Sequence, residues 1–250
     1  MKKIKKILLI IFILTLTNVS VFAESGFEAI LNIPVALSIN IPIGNHRVDF
    51  LGSSLKRNGN ITADAGVSAQ IGYLFDIGGK YDDIGISALA EIGYQYNVYS
   101  YNISISGTYD GVSIKDKLNS YIKSHSLVLG LLPKFNKGNF SVGLGFGVKL
   151  PMYITTSDEM FTIDFDNRTY SRYTAFNNYN INNMNSTFQY AVIPYVKITM
   201  DYSVYFTEKI AVNIGAYINY DYGLKSKYFD IRTDSIDIGL ELGLRFAPKL

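Results

Sequence analysis

The stretch Phe140-Ser141-Val142-Gly143-Leu144-Gly145-Phe146-Gly147-Val148-Lys149-Leu150 decides the fold. Every even position is large and apolar, and every odd position is small or polar. A period of two is that of a β-strand, because successive side chains leave opposite faces. One face of this strand meets an apolar medium and the other a polar, crowded one.

The same period recurs along the chain. Upstream, apolar positions alternate from Phe27 to Ile41, from Ala65 to Phe75 and from Ile84 to Tyr96. A blurred version follows in Leu127, Leu129 and Leu131, where Val128 and Leu132 intrude. Downstream, alternation runs from Tyr190 to Phe206, Ile210 to Tyr222 and Ile236 to Phe246. A tilted strand needs about 10 residues to cross the apolar band of a bilayer, and these eight segments supply that. An even count leaves both ends on one side.

The gaps separate a membrane barrel from a soluble one. Pro42–Thr62, Asn102–Ser120, Pro151–Thr187 and Gly223–Ser235 are long, whereas Ile77–Asp83, Pro133–Asn139 and Thr207–Lys209 are short. Strict long–short alternation puts every long loop at one rim, as in outer-membrane barrels. Aromatic residues sort by rim as well. Phe27, Tyr73, Phe75, Phe140, Phe206 and Phe246 fall at the short-turn end, and Tyr94, Tyr96, Tyr190, Tyr220 and Tyr222 at the long-loop end. Rings with an apolar body and a polar tip favour the two membrane interfaces.

The N-terminus fits export. Lys2, Lys3, Lys5 and Lys6 precede an apolar run, Ile7–Leu14, and Val21-Phe22-Ala23 has the small residues of a cleavage site. The run is about half the ~20 residues of a membrane anchor. A signal peptide over 1–23 and one barrel domain over 24–250 are therefore expected. Cleavage leaves 19 basic against 21 acidic residues, so the basic character of the whole chain is no sign of a nucleic-acid partner. The chain has no cysteine, which excludes disulfides, a lipidated N-terminal cysteine and thiolate metal sites.

On this layout, from Glu24 to Leu250, the chain resembles the small eight-stranded outer-membrane barrels, such as the membrane domain of OmpA and the OmpX-like proteins. The resemblance implies an all-β, antiparallel up-and-down barrel in the cell outer membrane, with contacts to lipid and to the outer-membrane assembly machinery. Members usually end on an aromatic residue. Here Ala247-Pro248-Lys249-Leu250 follows Phe246, and no peptidoglycan-binding domain is expected beyond it.

Chemistry-bearing residues are few. Gly143, Gly145 and Gly147 lack the strand-to-helix transition of a phosphate loop and suit a narrow lumen instead. Only His46 and His125 are available as catalytic bases, and Ser124 and Ser126, adjacent to His125, face the other way. The Asn- and Tyr-rich third loop suits adaptable surface contact. Tyr109-Asp110-Gly111-Val112 is a hairpin signal that would raise the third and fourth strands into a ribbon.

Inward-facing charge is the most specific expectation. Glu28, Asp64, Glu91, Lys149, Lys197, Asp201, Asp237, Glu241 and Arg245 all point into a lumen just wide enough for side chains. Opposite signs should pair there. Arg245 is expected to meet Glu28, with Glu241 sharing the guanidinium, and Glu91, Lys149 and Lys197 to form a second layer. The expected role is display of four extracellular loops for surface contact, adhesion or envelope integrity, towards an extracellular ligand or host surface. Such a chain would be a monomer without catalysis, cofactor, metal or nucleic acid. A narrow porin-like channel is the alternative, and a lipid-modifying enzyme using a histidine is the third.

Overall fold

Alternation over eight segments closes into a ring. The computed structural model describes residues 25–44, 56–78, 83–109, 112–164, 166–167, 169–228 and 230–249. Its strands are β1 (Gly26–Gly44), β2 (Lys56–Gly59), β3 (Ile61–Asp76), β4 (Ile84–Tyr109), β5 (Val112–Leu131), β6 (Lys134–Lys137), β7 (Phe140–Asp164), β8 (Thr169–Asn180), β9 (Ile193–Tyr205), β10 (Ile210–Asp221) and β11 (Ile231–Phe246). Eight of them pair antiparallel in the cycle β1-β3-β4-β5-β7-β9-β10-β11 and back to β1. The closing seam joins β1 to β11 over sixteen residue pairs, from Ala29↔Phe246 to Gly44↔Ile231.

Burial is inverted relative to a water-soluble protein. On β1, Leu31, Ile33, Val35 and Leu37 are about half exposed or more, while Glu28, Asn32, Ser38 and Asn40 are buried. The same holds on β9, where Val196, Ile198 and Met200 are exposed and Lys197, Thr199 and Asp201 are buried. Such a surface is at rest only in hydrocarbon, where a closed sheet also satisfies every backbone group in the wall. Phe27, Phe75, Phe140, Phe206 and Phe246 are exposed at the short-turn rim, and Tyr94, Tyr220 and Tyr222 at the other. Tyr190 lies outside β9, which starts at Ile193.

Several stretches expected to be loops are strand. Pro133–Asn139 is not a turn: β6 takes over from β5 between β4 and β7, leaving only the two-residue loop Gly138-Asn139. Gly138 adopts φ 54°, the left-handed region that tight hairpins require. Pro133 does not break the ladder because it follows the end of β5, and alternation resumes with Lys134 and Asn136 inside. Within the first long gap, β2 pairs with β4. The fourth is shortened by β11, which starts at Ile231.

At the long-loop rim, β4 and β5 stay paired up to Tyr109↔Val112 as a ribbon; Asp110 and Gly111 lie outside the described residues. A second ribbon, unexpected from the sequence, is formed by β7 and β8 within Pro151–Thr187. At its base the register slips: Ser126 pairs with Pro151 and His125 with Tyr153, so Met152 is an extra residue. The bulge exchanges the faces of β7, and Ile154 turns inward and is fully buried. Residues 1–23, expected to be the signal peptide, lie outside the described residues.

Candidate functional site

The lumen is filled by polar side chains that the pairing register stacks in tiers. Nearest the short turns, Arg245 Nε lies 2.8 Å from Glu28 Oε1 across the β1–β11 seam, without hydrogen-bond alignment. Its Nη1 donates to Ser203 Oγ at 3.2 Å and its Nη2 to Asn136 Oδ1 at 3.3 Å. Both ions are almost completely enclosed, Glu28 at 0% and Arg245 at 2% exposure. Glu241 does not share this guanidinium. Four residues along β11 at ~3.3 Å each put it roughly 13 Å from Arg245, and it lies 3.5 Å from Lys197 Nζ instead.

The middle tier is centred on Lys197, whose Nζ lies 2.7 Å from Glu91 Oε1. Tyr195 donates to the other Glu91 oxygen at 2.7 Å, and Asn32 donates to Glu241 Oε2 at 2.6 Å. A neighbouring ion pair, Lys134 to Asp201 at 2.8 Å, comes from the segment expected to be a turn. Lys149 does not join Lys197. It sits one tier higher, 2.5 Å from Asp221 Oδ2 and 3.9 Å from Asp237 Oδ2. Asn219 donates to both carboxylates at 2.7 and 2.8 Å, Tyr99 donates to Asp221 at 3.0 Å, and Ser38 to Asp237 at 2.7 Å. Asp64 is held by the Val98 N–H and the Asn97 amide, at 2.9 and 2.7 Å.

Space is left for little else. The cavity bounded by Glu91, Lys149, Tyr195, Lys197, Tyr217 and Asn219 measures about 30 Å³, room for a water or two. Gly143, Gly145 and Gly147 make room for the side chains that cross the lumen. A Cβ on Gly147 would stand 2.6 Å from Gly130 Cα and 2.9 Å from Tyr195 Cε1. Gly147→Ala is therefore expected to cost roughly 1–3 kcal/mol of stability by overpacking, measurable by urea unfolding in lipid vesicles. An unchanged midpoint would mean that the lumen is looser than described.

An apolar cap closes the long-loop end. Tyr99, Ile154, Met184, Phe188, Ile193 and Leu224 form one buried cluster. The third and fourth loops are joined over it by the Phe188↔Ser226 bridge, by Gln189 N to Lys225 O at 2.9 Å and by Lys227 N to Thr187 O at 2.8 Å. The sequence carried one signal of this cap, Met184 and Phe188 spaced by four in an otherwise polar run.

His125 stands on the outer face. Its Nδ1 lies 2.6 Å from the Tyr94 hydroxyl, with the Tyr96 and Tyr153 rings 5.0 and 6.0 Å away. Ser124 and Ser126 hydrogen-bond each other at 2.8 Å, buried on the opposite face. His125 therefore meets phenols rather than a serine or a carboxylate. His46 lies outside the described residues.

No protein-family model and no curated protein sequence matches the chain. Solved structures resemble it at low identity, three of them as follows. The outer membrane protease OmpT from Escherichia coli is 11% identical, with 92% of this chain and 99% of that one covered, at a TM-score of 0.41. The attachment invasion locus protein Ail of Yersinia pestis is 11% identical over 88% and 98%, at 0.36. Neisserial surface protein A is 13% identical over 89% and 98%, at 0.29. The likeness is one of fold alone; the barrel described above rests on its own register.

Proposed function

We propose that the mature chain is a sealed outer-membrane barrel that acts without catalysis, by presenting its two ribbons and joined loops at the cell surface. The observation that supports this reading is how full the described lumen is: three tiers of paired charge, a cavity of about 30 Å³ among them and an apolar cluster above. Buried charges are costly unless paired, and each lumen cation named above is paired with a carboxylate, Glu28 being held by its ion pair alone. The basic, apolar N-terminus supports secretion, and the lipid-compatible wall supports outer-membrane residence. The tyrosine setting of His125 lends no support to a hydrolytic role, since a base needs an orienting carboxylate and a nucleophile within reach.

Two measurements test the proposal together. Refolded protein in planar bilayers should give no steady single-channel current, and a conductance large enough for solutes would replace display with transport. Protease added to intact cells should cut the 164–169 turn joining β7 to β8 and spare the 137–140 and 205–210 turns. Cleavage confined to the short turns would invert the orientation.

A further inference from the structure

The two ribbons do not run side by side to their tips. β5 pairs with β7 only as far as Ser120↔Asp158; beyond it, β5 stays with β4 and β7 with β8. The fork is spanned by Arg172 of β8, which donates from Nε to Asp116 Oδ2 at 2.8 Å and from Nη2 to the Lys117 carbonyl at 3.1 Å. That guanidinium holds the Asp116 carboxyl below the usual carboxylate range. Between the ribbons lies a cavity of about 520 Å³, within the ~300–1,000 Å³ typical of small-molecule sites. Phe188 and Tyr179 of the cap line it, their rings meeting edge-on with centroids 5.6 Å apart.

The lining has a definite chemistry. Its apolar and aromatic lining includes Tyr101, Leu118, Met160 and Tyr173, and two acidic residues also line it, Asp158 opposite Ser120 and Glu159 against Asn119 at the edge of the strand. No basic side chain lines it among the described residues. Asp158 uses Oδ1 to accept the Ser120 hydroxyl, and Glu159 uses Oε2 to accept the Asn119 backbone and amide N–H at 2.7 and 3.1 Å. Among the described residues, neither is in a salt bridge, and Asp158 Oδ2 and Glu159 Oε1 accept no hydrogen bond. Of the nearby cations, Arg172 bonds Asp116 and lies close enough to Glu159 for the two charges to interact, and Arg57 lies over the Tyr101 ring at 3.6 Å from its centroid. Tyr173, half exposed, is the ring left open.

We infer that this cup binds a small amphipathic cation, an ammonium carried on an aromatic or aliphatic body. The ammonium satisfies the open carboxylate oxygens through charge-assisted hydrogen bonds, and the body packs on Tyr173 and Leu118. An anion would face two carboxylates, and a neutral isostere would desolvate them without supplying charge. The inference deepens the surface-display reading, because the cup must face the medium to be filled.

The test uses full-length mature protein refolded into nanodiscs, with 2-phenylethylammonium, 2-phenylethanol and 3-phenylpropionate as probes in equilibrium dialysis at low salt. The ammonium should bind about tenfold tighter than either isostere, the ratio expected when a charged contact replaces a neutral one. The double variant Asp158→Asn/Glu159→Gln should erase that preference, and Tyr173→Ala should weaken ammonium and alcohol alike. Thermal unfolding of each variant checks that the barrel is intact, and Glu159→Gln alone serves if the pair does not fold. Equal binding of the three probes, or a preference that survives the carboxylate replacement, overturns the inference. A sealed, correctly oriented barrel that fails here loses the cup and keeps the display reading, whereas a conducting one fails on the earlier test.

Discussion

Arg245→Ala is expected to lower the unfolding free energy by roughly 3–5 kcal/mol. The substitution leaves Glu28, which is 0% exposed, without its only cation among the described residues, and leaves Ser203, Ser141 and Asn136 without the donor they surround. An enclosed carboxylate that loses its partner pays the full desolvation cost, with no compensating water in a packed lumen. Pairing Arg245→Ala with Glu28→Gln should restore most of the loss, because the amide carries no charge to strand. Urea unfolding in lipid vesicles reads both variants. A loss under about 1 kcal/mol, the range of an exposed ion pair, would mean that water reaches this tier.

Lys149→Met should be at least as damaging, again roughly 3–5 kcal/mol. Methionine keeps the length of the side chain while removing the charge, so packing is nearly conserved. Asp221 and Asp237, both 0% exposed, would then face each other with only Asn219, Tyr99, Ser38 and Ser235 as donors. A cycle with Asp221→Asn isolates the pair: the double variant should recover well over half of the single loss. Simple additivity of the two substitutions would show that Lys149 and Asp221 do not depend on each other.

Much of the wall was legible in the sequence, and the reason is local. A period of two holds along any uninterrupted strand, so the side of the wall taken by Glu28, Asp64, Glu91, Lys149, Lys197, Asp201, Asp237, Glu241 and Arg245 needed no knowledge of register. Height within the lumen did need it. Counting from the turn-side ends of the strands puts Lys149 and Lys197 at one level, but Phe140 pairs with Tyr202, not with Phe206. β9 runs three residues past that pair, to Tyr205, so Lys197 sits opposite Gly145 and Lys149 opposite Ile193. Stagger of this kind belongs to barrel closure, and no single strand encodes it. Two of the expected gaps begin at Pro133 and Pro151, yet one proline sits where β5 hands over to β6 and the other at the Met152 bulge, places where a wall tolerates a missing N–H. The β7–β8 ribbon was hidden because its Thr-, Tyr- and Asn-rich strands are exposed on most positions and so carry little hydrophobic contrast.

The seam between the first and last strands also governs how the chain must fold. Each tier has a bond across it: Glu28 to Arg245, Asn32 to Glu241 and Ser38 to Asp237. The partners are separated by 199 and 209 residues in the two hydrogen-bonded cases. None of the three tiers can be completed while the C-terminal strand is still being made. Loop-closure entropy has to be met before any of these contacts forms, which makes assembly slow and late. Until then β1 and β11 are open edges flanked by apolar side chains, the combination most prone to pairing with the wrong strand. A chain built this way needs to be held apart from its copies from synthesis to insertion, and its last sixteen ladder pairs convert an aggregation hazard into a finished wall in a single step.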